Sequence, residues 1–177
     1  MKAIIPVAGH GTRLEPHTLK LQKCLIPVAG KPVLEHILDR ITQAGIEDVA
    51  LIIGHLGYQI KDFCSDYEKA NFTFIEQKER LGLGHAVYQG LDHSDEPALI
   101  VLGDSILELD YNNLIKSQCS TIGVSPVPDP KRFGIIELDN DQIVKFWEKP
   151  DNPPGNMAII GIYNISSQNE LSKGVEY

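Results

Sequence analysis

The stretch KAIIPVAGHGTRL (residues 2–14) carries a short apolar run that leads directly into a loop with two glycines. Lys2–Val7 is predicted to form a buried β-strand, because nearly all of its residues are apolar. Gly9 and Gly11 allow a tight turn after this strand, and Thr12 and Arg13 add a hydroxyl group and a planar cation. The backbone N–H groups of such a loop can surround a phosphate, and the arginine can add a charged fork of donors. The plain alternative is a tight turn with an exposed arginine.

The composition is that of an ordinary globular protein. Of the 177 residues, 42% are hydrophobic and 23% are charged, which is enough for one domain with a substantial core. The net charge of −8 disfavours nucleic acid or a membrane surface as a partner, so we expect neither and assign any phosphate to a local basic pocket. Three widely spaced cysteines, Cys24, Cys64 and Cys119, are typical of reduced thiols in a cytoplasmic protein. We expect neither a signal peptide nor a membrane-spanning helix.

The rest of the first half alternates between predicted strands and helices. The strands are continuously apolar, which is typical of a parallel sheet covered by helices on both faces. We therefore predict an α/β fold that is doubly wound, with a mostly parallel, mixed sheet. The predicted strands are Val49–Ile53, Phe72–Glu76 and Ala98–Leu102. One predicted helix begins at Pro32, a second follows the turn Gly54–Gly57 and runs through about Tyr67, and a third spans Leu83–Leu91.

The second half has a different pattern. Thr121–Val127 is a predicted strand, and Phe133–Asp139 and Gln142–Lys149 are predicted to form a hairpin closed by an Asp-Asn-Asp turn. Ala158–Ile165 is a further predicted strand, and Ser166 or Ser167 is predicted to cap a short helix. We expect one domain over residues 1–177, with a nucleotide-binding half over 1–110 and a second half over 111–177.

Polar residues and glycines follow three of the predicted strands, where a doubly wound sheet binds its ligands. The loop from Gly9 follows the first strand, Gln77 and Gly82 follow the third, and Gly103 and Asp104 follow the fourth. We expect these loops to meet in one crevice. The plain alternatives are a loop residue for Gln77 and a helix cap for Asp104.

Two familiar nucleotide-binding motifs are excluded. A dinucleotide-binding loop has a third glycine, whereas Leu14 stands at that position here, and no acidic residue follows the second strand to bind a ribose. A Walker loop needs Ser or Thr after Gly-Lys, whereas Pro32 follows Gly30-Lys31.

The chain resembles the sugar nucleotidyltransferases, the nucleoside-diphosphate-sugar pyrophosphorylases of the glucose-1-phosphate thymidylyl- and uridylyltransferase type. The resemblance rests on the following stretches, in the family's order: Ala8-Gly9-x-Gly11-Thr12-Arg13-Leu14-x-Pro16-x-Thr18, Lys23, Ile26–Pro32, Gln77, Gly82–Val87, Leu102–Asp104, Arg132–Ile136, Glu148–Pro150 and Gly161–Tyr163. It implies a Rossmann-like nucleotidyltransferase core and a role in sugar nucleotide and polysaccharide biosynthesis. The implied substrates are a nucleoside triphosphate, with dTTP or UTP favoured, and a sugar-1-phosphate.

The resemblance also implies roles for individual residues. The triphosphate would be bound by Ala8, Gly9, Gly11, Thr12 and Arg13, and the base by Gln77 and Gly82. Arg13 and Lys23 would be catalytic, Asp104 would bind Mg²⁺, and the sugar phosphate would be bound by Lys23, Gly134, Glu148, Lys149, Ile159 and Tyr163. The plain alternative for Lys23 and Lys149 is a surface lysine.

The sequence departs from the family's pattern at two places. Gln22 stands where many members have Pro or Ser before the catalytic lysine. No residue after Tyr163 supplies the second metal-binding Asp, so we expect a truncated chain whose sugar-binding half is incomplete. Two other functions stay open, namely nucleotidyl transfer to a non-sugar phosphate such as phosphocholine, and a non-catalytic module that binds nucleotide or sugar phosphate. The oligomeric state is also open, with a homo-oligomer among the outcomes considered.

Overall fold

The structure is a computed structural model that describes residues 1–79 and 81–174. These residues divide into two compact units. The first comprises Met1–Thr121 and the C-terminal stretch from Tyr163, and the second comprises Ile122–Ile162. No helix in the described part of the chain is long and apolar enough to cross a membrane.

The first unit is built on parallel strands. Its elements are β1 (Lys2–Pro6), β2 (Pro27–Val28), β3 (Lys31–Pro32), α1 (Val33–Gln43), β4 (Asp48–Ile53), α2 (Gly57–Ser65), β5 (Asn71–Glu76), α3 (Leu83–Gly90), β6 (Ala98–Val101), α4 (Tyr111–Ile115) and α5 (Gln168–Gly174). The spatial order of the four main strands is β5-β4-β1-β6, and β1 pairs in parallel with both β4 and β6. The strands that follow β1 in sequence, β4 and β5, therefore lie on one side of it, and the next main strand, β6, lies on its other side. In an open α/β sheet this switch point is where ligands bind, beyond the carboxyl ends of the strands.

The central strands are buried because helices cover them. Every residue of β6 is buried, as are the last five of β4, which agrees with the continuous apolar runs in the sequence. A cluster of buried residues from β1, β4, α3 and β6 forms one side of the core, and Tyr163 and Ile165 pack against it. These features confirm the predicted α/β class and the parallel part of the sheet.

Helix α1 packs through an amphipathic face and begins one residue later than expected. Pro32 belongs to β3 and precedes the helix in an extended conformation, because it pairs with Pro27 in the short β2–β3 hairpin. That hairpin, the short helix α4 and the 3₁₀ turns among the described residues were not predicted. The four apolar residues at helical spacing are buried, namely Leu34, Ile37, Leu38 and Ile41.

A polar cluster ties α1 to its neighbours. Asp39 of α1 accepts hydrogen bonds from Lys31 of β3 and, at 3.1 Å, from the hydroxyl of Tyr67. Burial acts to raise the pKa of Asp39, but these two hydrogen bonds and the charges of Lys31 and Lys69 outweigh it, so the pKa of the carboxyl is lowered. Burial raises the pKa of Tyr67 to about 12.

The second unit is antiparallel. It contains most of β7 (Thr121–Pro126) together with β8 (Gly134–Asp139), β9 (Gln142–Glu148) and the first part of β10 (Met157–Ile165). β8 pairs with β9 and with β10, and β7 also pairs with β10. The β8–β9 turn has positive φ at Asn140 (48°) and Asp141 (62°), the conformation that two-residue hairpin turns require. The predicted hairpin is confirmed, and the fold is mixed as expected.

Candidate active site

An open pocket of about 400 Å³ lies at the carboxyl ends of β1, β5 and β6, and the described residues that line it belong to the first unit. Seven residues predicted to act at the site line it, namely Ala8, Gly9, Gly11, Lys23, Gln77, Gly82 and Asp104. The lining residues that were not predicted as site residues are Pro6, Val7, Gln22, Cys24, Leu83, Ala86, Leu102 and Gly103. The size is in the range of small-molecule sites.

The backbones at the ends of β1 and β6 approach each other closely. A Cβ atom added at Gly103 would lie 2.3 Å from Cγ1 of Val7 and 3.0 Å from the carbonyl oxygen of Pro6. Only glycine fits there, because contacts that short do not occur between real side chains and backbone. This packing brings Asp104, the next residue, to the pocket formed by the loop after β1.

The glycine loop is held by its own residues. Gly11 has a φ of 67°, in the left-handed region, and begins the 3₁₀ turn Thr12–Leu14. The buried hydroxyl of Thr18 donates to the carbonyl oxygen of Gly11 over 2.9 Å. A Cβ added at Gly11 would lie 3.2 Å from Cβ and 3.3 Å from Cδ of Lys23, so the aliphatic part of this lysine packs on the loop. The loop and Lys23 therefore form one packed unit.

Lys23 and Asp104 form an ion pair in which Nζ and Oδ2 lie 2.5 Å apart. Their side chains are 35% and 45% exposed, and a pair so exposed to solvent contributes at most about 1 kcal/mol to stability. The importance of this ion pair lies in the ligands that its two charged groups can bind. The pair holds an ammonium group, which can bind a phosphate, beside a carboxylate, which can bind a hard cation.

Gln77 and His85 interact at the far side of the pocket. Nε2 of Gln77 donates to the carbonyl oxygen of Gly82 over 3.2 Å and lies 3.1 Å from Nδ1 of His85. Gly82 precedes α3 with a φ of 100°. The amide of Gln77 is therefore oriented by two neighbours on the loop before α3 and on the helix itself.

The remaining predicted nucleotide-binding residues lie next to the pocket rather than in its lining. Thr12 and Arg13 are exposed residues of the 3₁₀ turn that follows Gly11. His10, in the same loop, stacks on His55 with ring centroids 4.0 Å apart. The sequence does not predict that these two rings stack, because His10 and His55 follow different strands.

Four predicted sugar-phosphate-binding residues belong to the second unit, where they lie close together. Gly134 pairs with Glu148 across β8 and β9, and a Cβ added at Gly134 would lie 3.4 Å from Cδ1 of Ile159. Nζ of Lys149 contacts Oε1 of Glu148 at 2.5 Å. The other two of the six predicted residues belong to the first unit, where Lys23 lines the pocket and Tyr163 packs against the core.

Two buried side chains beside Lys23 were not predicted to matter for the site. Gln22 is 2% exposed, and its side chain donates to the carbonyl oxygen of Val7 and accepts from the backbone N–H of Cys24. Cys24 is also buried, and burial raises the pKa of its thiol to about 12, which agrees with a packing role. The described residues contain no group of three or more His, Cys, Asp or Glu that could hold a metal ion.

Comparisons with known proteins identify the family. Residues 2–169 match the family described as Nucleotidyl transferase. The bifunctional protein GlmU of Methanocaldococcus jannaschii is 36% identical over 169 residues, which are 95% of this chain and 40% of that protein. The glucose-1-phosphate thymidylyltransferase of Streptomyces antibioticus is 36% identical over 173 residues, which are 92% of this chain and 49% of that protein.

A solved structure with a similar fold supports the same family. A UDP-glucose pyrophosphorylase complexed with UDP-glucose matches the fold with a TM-score of 0.84 and 25% identity, over 96% of this chain and 77% of that chain. The chain spans less than half the length of the two curated relatives described above. The family match covers nearly the whole chain, and the chain belongs to the nucleotidyl transferase family.

Proposed function

We propose that this chain catalyses the transfer of a nucleotidyl group from a nucleoside triphosphate to a sugar-1-phosphate, giving a nucleoside-diphosphate sugar and pyrophosphate. The observation that carries the proposal is the Lys23–Asp104 pair, held against a glycine loop at the switch point of the sheet. In this reaction an oxygen of the sugar phosphate attacks the α-phosphorus, and pyrophosphate leaves in line. Such a transfer asks the protein for positioning and for positive charge around the phosphates.

The triphosphate is assigned to the glycine loop. Backbone N–H groups from Ala8 to Thr12 bind its oxygens, and Arg13 stabilises the charge on the transferred and leaving phosphates. Lys23 reaches the α-phosphate or the incoming sugar phosphate, which its packing on Gly11 supports. The exposed position of Arg13 supports its role, because the guanidinium is available to a ligand that enters from solvent.

The base is assigned to Gln77 and Gly82, with dTTP or UTP favoured. Among residues 1–79 and 81–174, both described hydrogen-bond contacts of the Gln77 amide use Nε2. Oε1 can then serve as an acceptor for a base, and an acceptor matches the imide N–H of thymine or uracil. The names of two similar proteins, a thymidylyltransferase and a UDP-glucose pyrophosphorylase, agree with this choice.

The sugar phosphate is assigned, within the second unit, to Gly134, Glu148, Lys149 and Ile159. The carboxylate of Glu148 accepts hydrogen bonds from sugar hydroxyls, and Lys149 binds near the phosphate. Their mutual contact within the second unit supports a shared role. Glucose-1-phosphate is the substrate type we favour.

Asp104 fits a Mg²⁺ ion that would enter with the nucleotide. Mg²⁺ in phosphate-transfer sites is usually bound by one or two carboxylates together with phosphate oxygens and water, and Asp104 supplies one carboxylate at the edge of the pocket. When bound, the ion would neutralise negative charge on the phosphates.

We also assign the activity to the cytoplasm, because Cys24, Cys64 and Cys119 are free thiols.

Pyrophosphate release tests the proposal. The chain is incubated with glucose-1-phosphate, Mg²⁺ and either UTP or dTTP, and we expect pyrophosphate to form only when the sugar phosphate is present.

Replacing Arg13 by Ala should weaken triphosphate binding by about 1.5–3 kcal/mol, the value of a charge-assisted hydrogen bond. Arg40→Ala is the matched control, since Arg40 is an exposed arginine on α1 outside the pocket lining. Equal binding of UTP by both variants would contradict the assignment of Arg13.

A further inference from the structure

Gln22 is a buried glutamine whose amide N–H and carbonyl groups both bind the backbone around the pocket. Only 2% of the residue is exposed. Its Nε2 donates to the carbonyl oxygen of Val7 over 2.5 Å and lies 3.5 Å from that of Gly9. Its Oε1 accepts from the backbone N–H of Cys24 over 2.7 Å. One side chain therefore joins the start of the glycine loop to the turn that carries Lys23.

A second glutamine holds the first in place. Oε1 of Gln59, on α2, accepts from the backbone N–H of Gln22 over 2.8 Å. Nε2 of the same side chain donates to the carbonyl oxygen of Lys20 over 2.9 Å. Gln59 thus fixes the backbone on both sides of Leu21, just before the turn that begins at Lys23.

The position of Lys23 follows from these contacts. The turn Lys23–Leu25 is capped by the side chain of Gln22, which satisfies an N–H group at its start. The bond from Gln22 to Val7 keeps that turn at a fixed distance from the end of β1, where the loop begins. Since the stem of Lys23 also packs on Gly11, a shift of the turn would move the ammonium group relative to the loop.

We propose that Gln22, supported by Gln59, is a positioning residue that sets where the Lys23 ammonium group lies relative to the triphosphate loop. This inference rests on the proposed function. Gln22 acts through Lys23 rather than on the substrate, because the N–H and carbonyl groups of its amide already bind the backbone. A misplacement of about 1 Å in a reacting group can lower a rate by roughly a hundredfold, so a small shift of the turn is sufficient.

The test replaces Gln22 by Met, which keeps the length of the side chain and removes its hydrogen bonds. Gln168→Met is the matched control, because Gln168 is equally buried in the first unit, and its Oε1 binds the backbone N–H of Asp92 away from the pocket. Urea denaturation is measured first, and both variants should fold with a similar loss of stability. We then expect Gln22→Met to lower kcat at least tenfold with KM for UTP within about threefold, and Gln168→Met to change neither. A folded Gln22→Met variant with kcat within twofold of the original chain would overturn the inference, and so would an equal loss of kcat in both variants.

Amide hydrogen exchange supplies a readout that needs no turnover. In Gln22→Met, the N–H groups of Cys24 and of Leu14, which donates to Gly11 in the loop, should exchange at least tenfold faster than in Gln168→Met. Unchanged exchange at Leu14 would show that Gln22 does not hold the loop. If the original chain releases no pyrophosphate, the proposed function fails, while the exchange rates still decide whether Gln22 fixes the loop and the turn.

Discussion

Replacing Gly11 by Ala tests whether the glycine loop and Lys23 act as one packed unit. Two penalties add at this position. A left-handed φ of 67° costs a residue with a Cβ about 1–2 kcal/mol. The new Cβ would also lie 2.9 Å from Cγ2 of Thr18 and 3.2 Å from Cβ of Lys23, and overpacking of this kind costs about 1–3 kcal/mol. We expect a total destabilisation of about 2–5 kcal/mol, and a loss of UTP affinity because the lysine must move.

Gly30→Ala is the control for this change. Gly30 also has a positive φ, of 89°, but no atom lies within 4 Å of a Cβ placed on it. Its cost should be the backbone part alone, about 1–2 kcal/mol, with UTP affinity unchanged. Urea denaturation gives the difference in stability, and titration calorimetry gives the affinity. A Gly11→Ala variant that is no less stable than Gly30→Ala and binds UTP as tightly as the original chain would contradict the packing of Lys23 on the loop.

Three further predictions concern charge and burial. Asp104→Asn should change the free energy of unfolding by no more than about 1 kcal/mol but should abolish the Mg²⁺-dependent part of nucleotide stabilisation, and a loss of the fold in thermal melts would contradict this. The exposed thiol of Cys119 should react with a thiol reagent at least 100-fold faster than Cys24 and Cys64, whose pKa values burial raises to about 12, and equal rates before denaturation would argue against their burial. Asp39→Asn should destabilise the chain at neutral pH, and the difference should shrink as the pH falls through the lowered pKa of this carboxyl, because the ionised form is the one that its partners stabilise. A difference that stays constant in denaturation curves from pH 7 to pH 3 would rule out this role.

The fold could be predicted where burial alone decides the pattern. The strands β4 and β6 are buried on both faces and show continuous apolar runs, whereas α1 is buried on one face and shows apolar residues at helical spacing. The pattern of apolar residues is therefore sufficient to predict these elements. The β2–β3 hairpin and α4 were missed, since each is only a few residues long and shows no periodicity. Proline favours the first turn of a helix, which predicts a helical Pro32, but tertiary pairing with Pro27 places this residue in a strand.

The candidate site divides in the same way. Glycines and polar residues at strand ends predicted that Gly9, Gln77 and Asp104 would lie together, since the topology of a doubly wound sheet brings these ends to one edge. The sequence does not predict a role for Gln22. A buried amide that bridges two backbone segments depends on the distance between those segments, and no local pattern in the sequence encodes that distance.

The most direct test of the central claim, that the glycine-loop pocket binds a nucleoside triphosphate, is a thermal-melt series on this chain. The ligands are dTTP, UTP, CTP, ATP and GTP, each with and without Mg²⁺. A ligand at 100 times its dissociation constant stabilises a fold by about 2.7 kcal/mol, which is a readily measured shift in melting temperature. We expect this binding to give a shift with dTTP or UTP that increases with Mg²⁺. No shift with any of the five nucleotides would contradict it.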